Sequence, residues 1–322
     1  LGVRRGDVVF TSGGTEADNL AVKGIAIGAL LDRGARHVVT LPIEHEAVLQ
    51  SAAFLQRVHG FDVTLVPVDG SGRVDPSELG RALRDDTALV SVGYANNEVG
   101  TVQDVTALAA VCRERGIPVH LDAVQAAGWL PLAGTGADAI SIAGHKIAAP
   151  KGTGALAVRG RIPVEPLVHG GGQERGRRSG TENVAGAVAL ATALELAEAE
   201  READAAAVAA IRDAFIARVL AEVPQARLTG HPVHRLPATA SFTFAGTSGE
   251  AVLLELERRG IVSSSGSACA AGADEPSHVL VAMGIDRQTA QTAVRFTFPH
   301  GLRQDLDAAA AAVAASVAAV AP

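Results

Sequence analysis

Through its first half the chain alternates short apolar runs with stretches of helical spacing. The runs at 8–10, 37–41, 62–66, 88–93, 119–121 and 139–142 are rich in Val, Leu and Ile and read as strands. Residues 16–33, 46–59, 77–84 and 104–115, between them, read as helices. Strand and helix in turn predict a mostly parallel sheet covered on both faces. Ligands in such sheets bind beyond the carboxyl ends of the strands. The polar loops 11–19, 43–46, 95–100, 122–125 and 144–146 each follow a strand, so they are expected to converge on one rim.

The second half has a different rhythm. From Asn183 to about Val223 the sequence is Ala-rich and helical and reads as a connecting helix pair. A strand at 239–244, a helix at 249–259, a strand at 261–263, a helix at 275–283, a strand at 293–298 and a closing helix at 304–320 follow. This unstrict order suggests an α+β domain. The expected organisation is a large domain over 1–190, connecting helices over 191–223 and a small domain over 224–322. There is no internal repeat.

Composition narrows the class. Of 322 residues, 48% are hydrophobic and 20% charged, an ordinary globular balance that excludes a disordered chain. The formal net charge of −7 argues against nucleic acid or an anionic membrane as partner. No signal peptide is read, and the Ala-rich run 308–320 is too short to span a bilayer. The two cysteines, Cys112 and Cys269, make no disulfide framework or metal cluster and suit a reducing cytoplasm. The chain begins at Leu1 and enters a strand by Val8, as though it starts inside a fold.

Several short stretches carry candidate chemistry. Gly144-His145-Lys146 leaves the end of a strand. A desolvated lysine there loses its proton and forms a Schiff base with a carbonyl, although a solvated turn is the plainer reading. Thr11-Ser12-Gly13-Gly14-Thr15-Glu16 joins strand to helix, where free N–H groups attract phosphate or simply start a helix. Asp122 ends a strand, fitting either the protonated ring nitrogen of pyridoxal phosphate (PLP) or a helix cap. The segment 170–181, three glycines before Arg175, Arg177 and Arg178, reads as a mobile loop reaching an anionic ligand; without interleaved aromatics it does not read as an RNA-binding loop. Cys269 lies among small polar residues, where a reactive thiol belongs, whereas Cys112 lies on an apolar helix face and reads as core. Arg295 faces solvent or clamps a carboxylate. His45 is a helix-start residue on the bland reading, and His231 and His234 lack a third ligand for a metal.

In this order the Gly-Gly-Thr-Glu loop, Glu44-His45-Glu46-Ala47-Val48, Asn96-Asn97-Glu98-Val99-Gly100, Asp122-Ala123-Val124-Gln125, Gly144-His145-Lys146, the Gly-Gly-Gly-Gln-Glu-Arg loop and Ser265-Gly266-Ser267-Ala268-Cys269 resemble the group I (NifS/IscS-like) cysteine desulfurases. These are PLP enzymes of the class-V aminotransferase superfamily. The resemblance implies the fold type I of PLP enzymes: α/β, with a mostly parallel seven-stranded sheet and a smaller α+β domain. It implies that Lys146 carries PLP, that Asp122 holds the ring nitrogen, and that Gln125 and Asn97 bond the ring hydroxyl region. His45 would stack on the ring and move protons. Gly14, Thr15 and His145 would form the phosphate site, with Thr181 reaching it from the other subunit of a homodimer. Arg295 would grip the carboxylate of L-cysteine, with Asn97 beside it, and Cys269 would take the sulfur as a persulfide for a sulfur-acceptor protein, serving iron–sulfur clusters or thiolated products. Another class-V enzyme, a selenocysteine lyase or C–S lyase, or a non-enzymatic paralogue is the alternative. Two departures stand out. Ala143 replaces a serine that bonds the phosphate in many relatives, which predicts weaker PLP retention. The family also has some tens of residues before the point matching Leu1, so the sequence is partial or lacks a piece of the site.

Overall fold

The structure, a computed structural model, describes residues 1–265 and 275–321. The chain divides into two units. The first comprises Leu1–Pro67, Val74–Ala95 and Gln103–Arg201; the second comprises Val68–Arg73, Asn96–Val102 and the chain from Glu202 on.

The first unit is built on seven strands: β1 (Val8–Thr11), β2 (His37–Thr40), β3 (Asp62–Leu65), β4 (Thr87–Gly93), β5 (Val119–Asp122), β6 (Ala139–Ala143) and β7 (Gly154–Val158). Their order is β1-β7-β6-β5-β4-β2-β3. The pairs β2–β3, β2–β4, β4–β5 and β5–β6 are parallel, while β7 runs antiparallel to both β6 and β1. The central strands are apolar and buried on both faces, as a helix-covered parallel sheet requires. β7, Gly-Ala-Leu-Ala-Val, carries too little β-branched character to be read from sequence, yet it closes the gap between β1 and β6.

Helices α1 (Gly14–Asn19), α2 (Ile25–Arg33), α3 (Glu46–His59), α4 (Pro76–Ala82) and α5 (Val105–Glu114) belong to this unit. A π-helical turn, Leu20–Gly24, joins α1 to α2. Beside it the Gly24 carbonyl accepts the Glu165 N–H at 2.9 Å. Gly24 must be glycine, since a Cβ there would lie 2.8 Å from the Glu165 carbonyl oxygen. Asp75 and Asp104 cap α4 and α5 by accepting backbone N–H groups.

The Ala-rich run read as a helix pair is one 39-residue helix, α6 (Val184–Glu222). Its alanines and long side chains contain neither Pro nor an interior stop. Its residues up to Arg201 count with the first unit and the rest with the second.

The second unit holds an antiparallel sheet in the order β10-β11-β9-β8, from β8 (Ala226–Leu228), β9 (Thr239–Phe244), β10 (Ser264–Ser265) and β11 (Val294–Thr297). Helices α7 (Gly249–Arg258), α8 (His278–Ala282), α9 (Arg287–Ala290) and α10 (Asp307–Val320) complete it. Five of the eight phenylalanines, Phe215, Phe242, Phe244, Phe296 and Phe298, pack as one aromatic core, with Phe215 edge-on to Phe242, Phe296 and Phe298. The strand expected at 261–263 is not formed. The Ile261 N–H bonds back to Leu256 and ends α7, and Val262 is 91% exposed. Sheet pairing begins at Ser264 and Ser265, opposite Arg295 and Val294. Among the described residues no helix is long and apolar enough to cross a membrane.

Candidate active site

In the first unit four loops with candidate residues leave the carboxyl ends of β1, β2, β5 and β6, and glycine lets them close on one another. A Cβ on Gly14 would lie 2.6 Å from Val124 Cγ2 and 3.2 Å from Ala143 Cβ. One on Gly154 would lie 2.6 Å from the Gly13 carbonyl carbon. So the start of α1, the turn after β5 and the end of β6 meet at van der Waals contact. Thr15 is exposed on the first turn of α1, and Gln125 is half-buried in the turn after β5.

Asp122 ends β5, paired with Gly93 of β4 on one side and Ser141 of β6 on the other. Its Oδ1 accepts the Val124 N–H at 2.9 Å, so the carboxyl does cap the turn that follows. Burial raises this carboxyl above its ordinary value, against the pull of the Val124 N–H, His45 and Lys146. That shared field brings Asp122, His45 and Lys146 into one constellation. His45 caps α3: its Nδ1 accepts the Ala47 N–H at 3.0 Å, which leaves the ring proton on Nε2. The bland and the chemical readings of His45 are thus compatible. His145 and Lys146 sit in a 3-10 turn after β6, and both are exposed. Of the two readings of Lys146, desolvated or in a solvated turn, its exposure matches the second. Burial, then the cations Lys146 and Lys151, push His145 below its usual value.

These residues fit PLP. A carboxyl with one oxygen committed to its own turn can meet a ring-nitrogen cation, a lysine beside it can hold the aldehyde, and a helix start tight enough to exclude Cβ atoms suits a phosphate.

Sequence reasoning missed what lies behind Asp122. Asp18, Glu44, Ser91, His120 and Ser141 are buried polar residues. The signal was present: a serine or histidine inside each of three apolar strands is an odd choice for a core. Burial foremost, with the charge of Asp122 and against the Gly93 N–H, lifts the Glu44 carboxyl to about 8.

The glycine- and arginine-rich loop differs from its expectation as a mobile anion-seeking arm. Arg175 and Arg177 both donate to the Gly6 carbonyl, and Arg178 forms a two-point ion pair with Glu16, which also accepts the Ser12 N–H. Glu174 and Arg175 hold φ values of 48° and 58°, a left-handed pair fixed by those anchors. Thr181, exposed, lines a cavity of about 290 Å³ with Thr11, Ser12, Thr153 and Arg178.

In the second unit Arg295 Nη1 donates to the Asn97 carbonyl at 2.9 Å, so these two candidates come together there. Cys269 lies outside the described residues. Cys112 is fully buried on α5, and burial, helped by Asp138, pushes its thiol up to about 12.

The sheet order, the glycine-bound helix start and the Asp-His-Lys constellation define a PLP enzyme of fold type I. The chain belongs to the aminotransferase class-V family, which matches residues 1–305, and within it to the cysteine desulfurases. It is 45% identical to an IscS-like cysteine desulfurase of Mycobacterium tuberculosis (strain ATCC 25618 / H37Rv), over 99% of this chain and 83% of that one. It is 42% identical to the cysteine desulfurase IscS of Dictyoglomus turgidum (strain DSM 6724 / Z-1310), over 95% and 78%. Among solved structures, a NifS-like protein superposes with a TM-score of 0.87 at 35% identity, covering 98% of this chain and 83% of that one. A structure of SspA in complex with cysteine superposes with a TM-score of 0.79 at 34% identity, covering 93% and 83%.

Proposed function

We propose that this chain converts L-cysteine to L-alanine and retains the sulfur as a persulfide on Cys269. The observation that carries the reading is the gathering of Asp122, His45 and Lys146 at the carboxyl rim of the sheet. The relatives' names and the cysteine held by SspA support the substrate. When bound, PLP supplies an electron sink for bond breaking at the substrate's α and β carbons.

The chain's own residues do the rest. Lys146 would hold the cofactor through its side-chain amine. Asp122 meets the ring nitrogen, and Gln125 and Asn97 bond the ring hydroxyl region. Gly14, Thr15 and His145 hold the phosphate, with Thr181 of a second copy completing that site in a homodimer. Arg295 and Asn97 orient the substrate carboxylate. His45, with its proton on Nε2, moves protons at the ring face. The Cys269 thiolate attacks the substrate sulfur: a carbon–sulfur bond breaks, a sulfur–sulfur bond forms, and the carbon skeleton gains a proton and leaves as alanine. Atoms balance without an external oxidant, since L-cysteine and one thiol give L-alanine and one persulfide. The persulfide then passes to an acceptor protein for iron–sulfur clusters or thiolated products, in the cytoplasm.

The test is to incubate the protein with PLP and L-cysteine and map added sulfur by mass spectrometry without reductant. One sulfur on the Cys269 peptide with matching alanine, abolished in Cys269→Ser and Lys146→Ala, is the expected result. PLP on Lys146 with no sulfur on Cys269 sinks the reading and moves it to another C–S lyase reaction.

A further inference from the structure

A buried polar cluster of the first unit lies behind Asp122, and none of the roles above uses it. Ser91, His120 and Ser141 stand on neighbouring strands β4, β5 and β6. Side chains alternate along a strand, so His120 and Asp122 share one face. His120 is fully buried, with Nδ1 2.9 Å from Ser91 Oγ and Nε2 2.8 Å from Ser141 Oγ. The carboxyl of Asp18, on α1, lies against His120 and Ser141, and the Ser141 hydroxyl pulls against its protonation. Asp18 is 2% exposed, and its Oδ1, 3.8 Å from His120 Nε2, takes no hydrogen bond among the described residues. An orphaned oxygen costs far less on a neutral acid than on a carboxylate. Two carboxyls in one apolar pocket do not both ionise. Asp122 has His45 and Lys146 to favour its charge. Facing Asp18 are Asp122, Glu44 and His120, and burial holds His120 neutral by pulling it to about 3.

We propose that Asp18 is a positioning residue for Asp122: it stands behind it as a neutral acid, bonded into the Ser141–His120–Ser91 chain, and leaves Asp122 the single negative charge that meets the cofactor's ring nitrogen. The proposal rests on the assignment of Asp122 to that nitrogen. Burial first, then the charges of Asp122 and Glu44, raise Asp18 well above the usual carboxyl range, outweighing the pull of the Ser141 hydroxyl. The proton on Asp18 sets the direction of the whole chain. Asp18 donates to Ser141 Oγ, Ser141 donates to His120 Nε2, and the His120 Nδ1–H donates to Ser91. An ionised Asp18 would accept from Ser141, reverse each bond and move the ring proton to Nε2.

The His120 tautomer therefore reports the state of Asp18 without any turnover. In protein labelled with nitrogen-15 histidine and freed of PLP, the His120 signals are assigned by their loss in His120→Gln. The expected result near neutral pH is the Nδ1–H tautomer. It is kept in Asp18→Asn, whose amide donates to Ser141 as the acid does. An Nε2–H tautomer or an imidazolium in the wild type overturns the proposal. PLP titration of the Asp18→Asn apoprotein should give a dissociation constant within about threefold of wild type, and a change beyond about tenfold also overturns it. Asp122→Asn should weaken PLP by about tenfold or more. If it binds PLP as wild type does while His120 keeps Nδ1–H, the ring-nitrogen assignment falls and the positioning role with it, although the neutral acid stands.

Discussion

Replacing Gly154 with alanine tests whether the start of α1 is held where a phosphate needs it. Gly154 opens β7 opposite Ala143, and its φ is not in the left-handed region, so its own backbone tolerates alanine. The obstacle is the neighbour: the new Cβ would lie 2.6 Å, 2.7 Å and 2.8 Å from the carbonyl carbon, Cα and oxygen of Gly13. That is roughly 0.8 Å short of ordinary contact, against backbone that no rotamer change can move. Overpacking of this kind costs about 1–3 kcal/mol, which lowers the melting temperature by roughly 1.5–4.5 °C. The strain falls on the turn proposed to hold the phosphate. Losing alignment of one charged hydrogen bond, about 1.5–3 kcal/mol, weakens PLP by about tenfold or more. Thermal melting of the apoprotein and an absorbance titration with PLP read the two effects. Gly152→Ala is the control. Gly152 has φ +82° and open space around it, so it should lose about 1–2 kcal/mol of stability to backbone strain with PLP affinity within about threefold of wild type. If Gly154→Ala melts with the wild type and binds PLP within about twofold, the β7–α1 contact does not hold the phosphate site and the reasoning fails.

Ala143→Ser restores a hydroxyl at a fully buried position beside Gly14, and should tighten PLP by about two- to tenfold; an unchanged constant would show that no phosphate oxygen is within its reach. Glu44 is an acid raised to about 8, so its stabilising effect is complete below about 4.5 and fades as pH rises through 8. Urea unfolding should show wild-type stability falling across that window by up to about 1.4 kcal/mol per pH unit, and Glu44→Gln should flatten the fall; parallel profiles would place the Glu44 charge in solvent. Cys112, with its thiol pushed up to about 12, should resist iodoacetamide near neutral pH until the protein unfolds, and labelling of the native protein at the rate of a free thiol would contradict its burial.

The periodic part of the fold was legible because burial writes itself into sequence. Residues 46–59 read as a helix and form α3, and six apolar runs form β1 to β6. The rim was legible for the same reason: Asp122 ends a strand, Gly144 and His45 each follow one, and a parallel sheet sends those loops one way. By itself the sequence determined the alternating architecture, the family motifs and which residue types were available for chemistry. The tertiary structure decided what depends on partners distant in the chain. β7 is a strand because β1 and β6 flank it, not because Gly-Ala-Leu-Ala-Val prefers one. Strand pairing begins at Ser264 rather than Ile261 because α7 claims the Ile261 N–H first. The arginines of the 170–181 loop are anchored to Gly6 and Glu16, more than 150 residues away. Asp18, His120 and Ser141 form one buried cluster only once α1 packs against the sheet. A local pattern records whether a side chain is wet or dry; it does not record which other dry polar group it will meet, and that meeting sets charge, proton position and pKa.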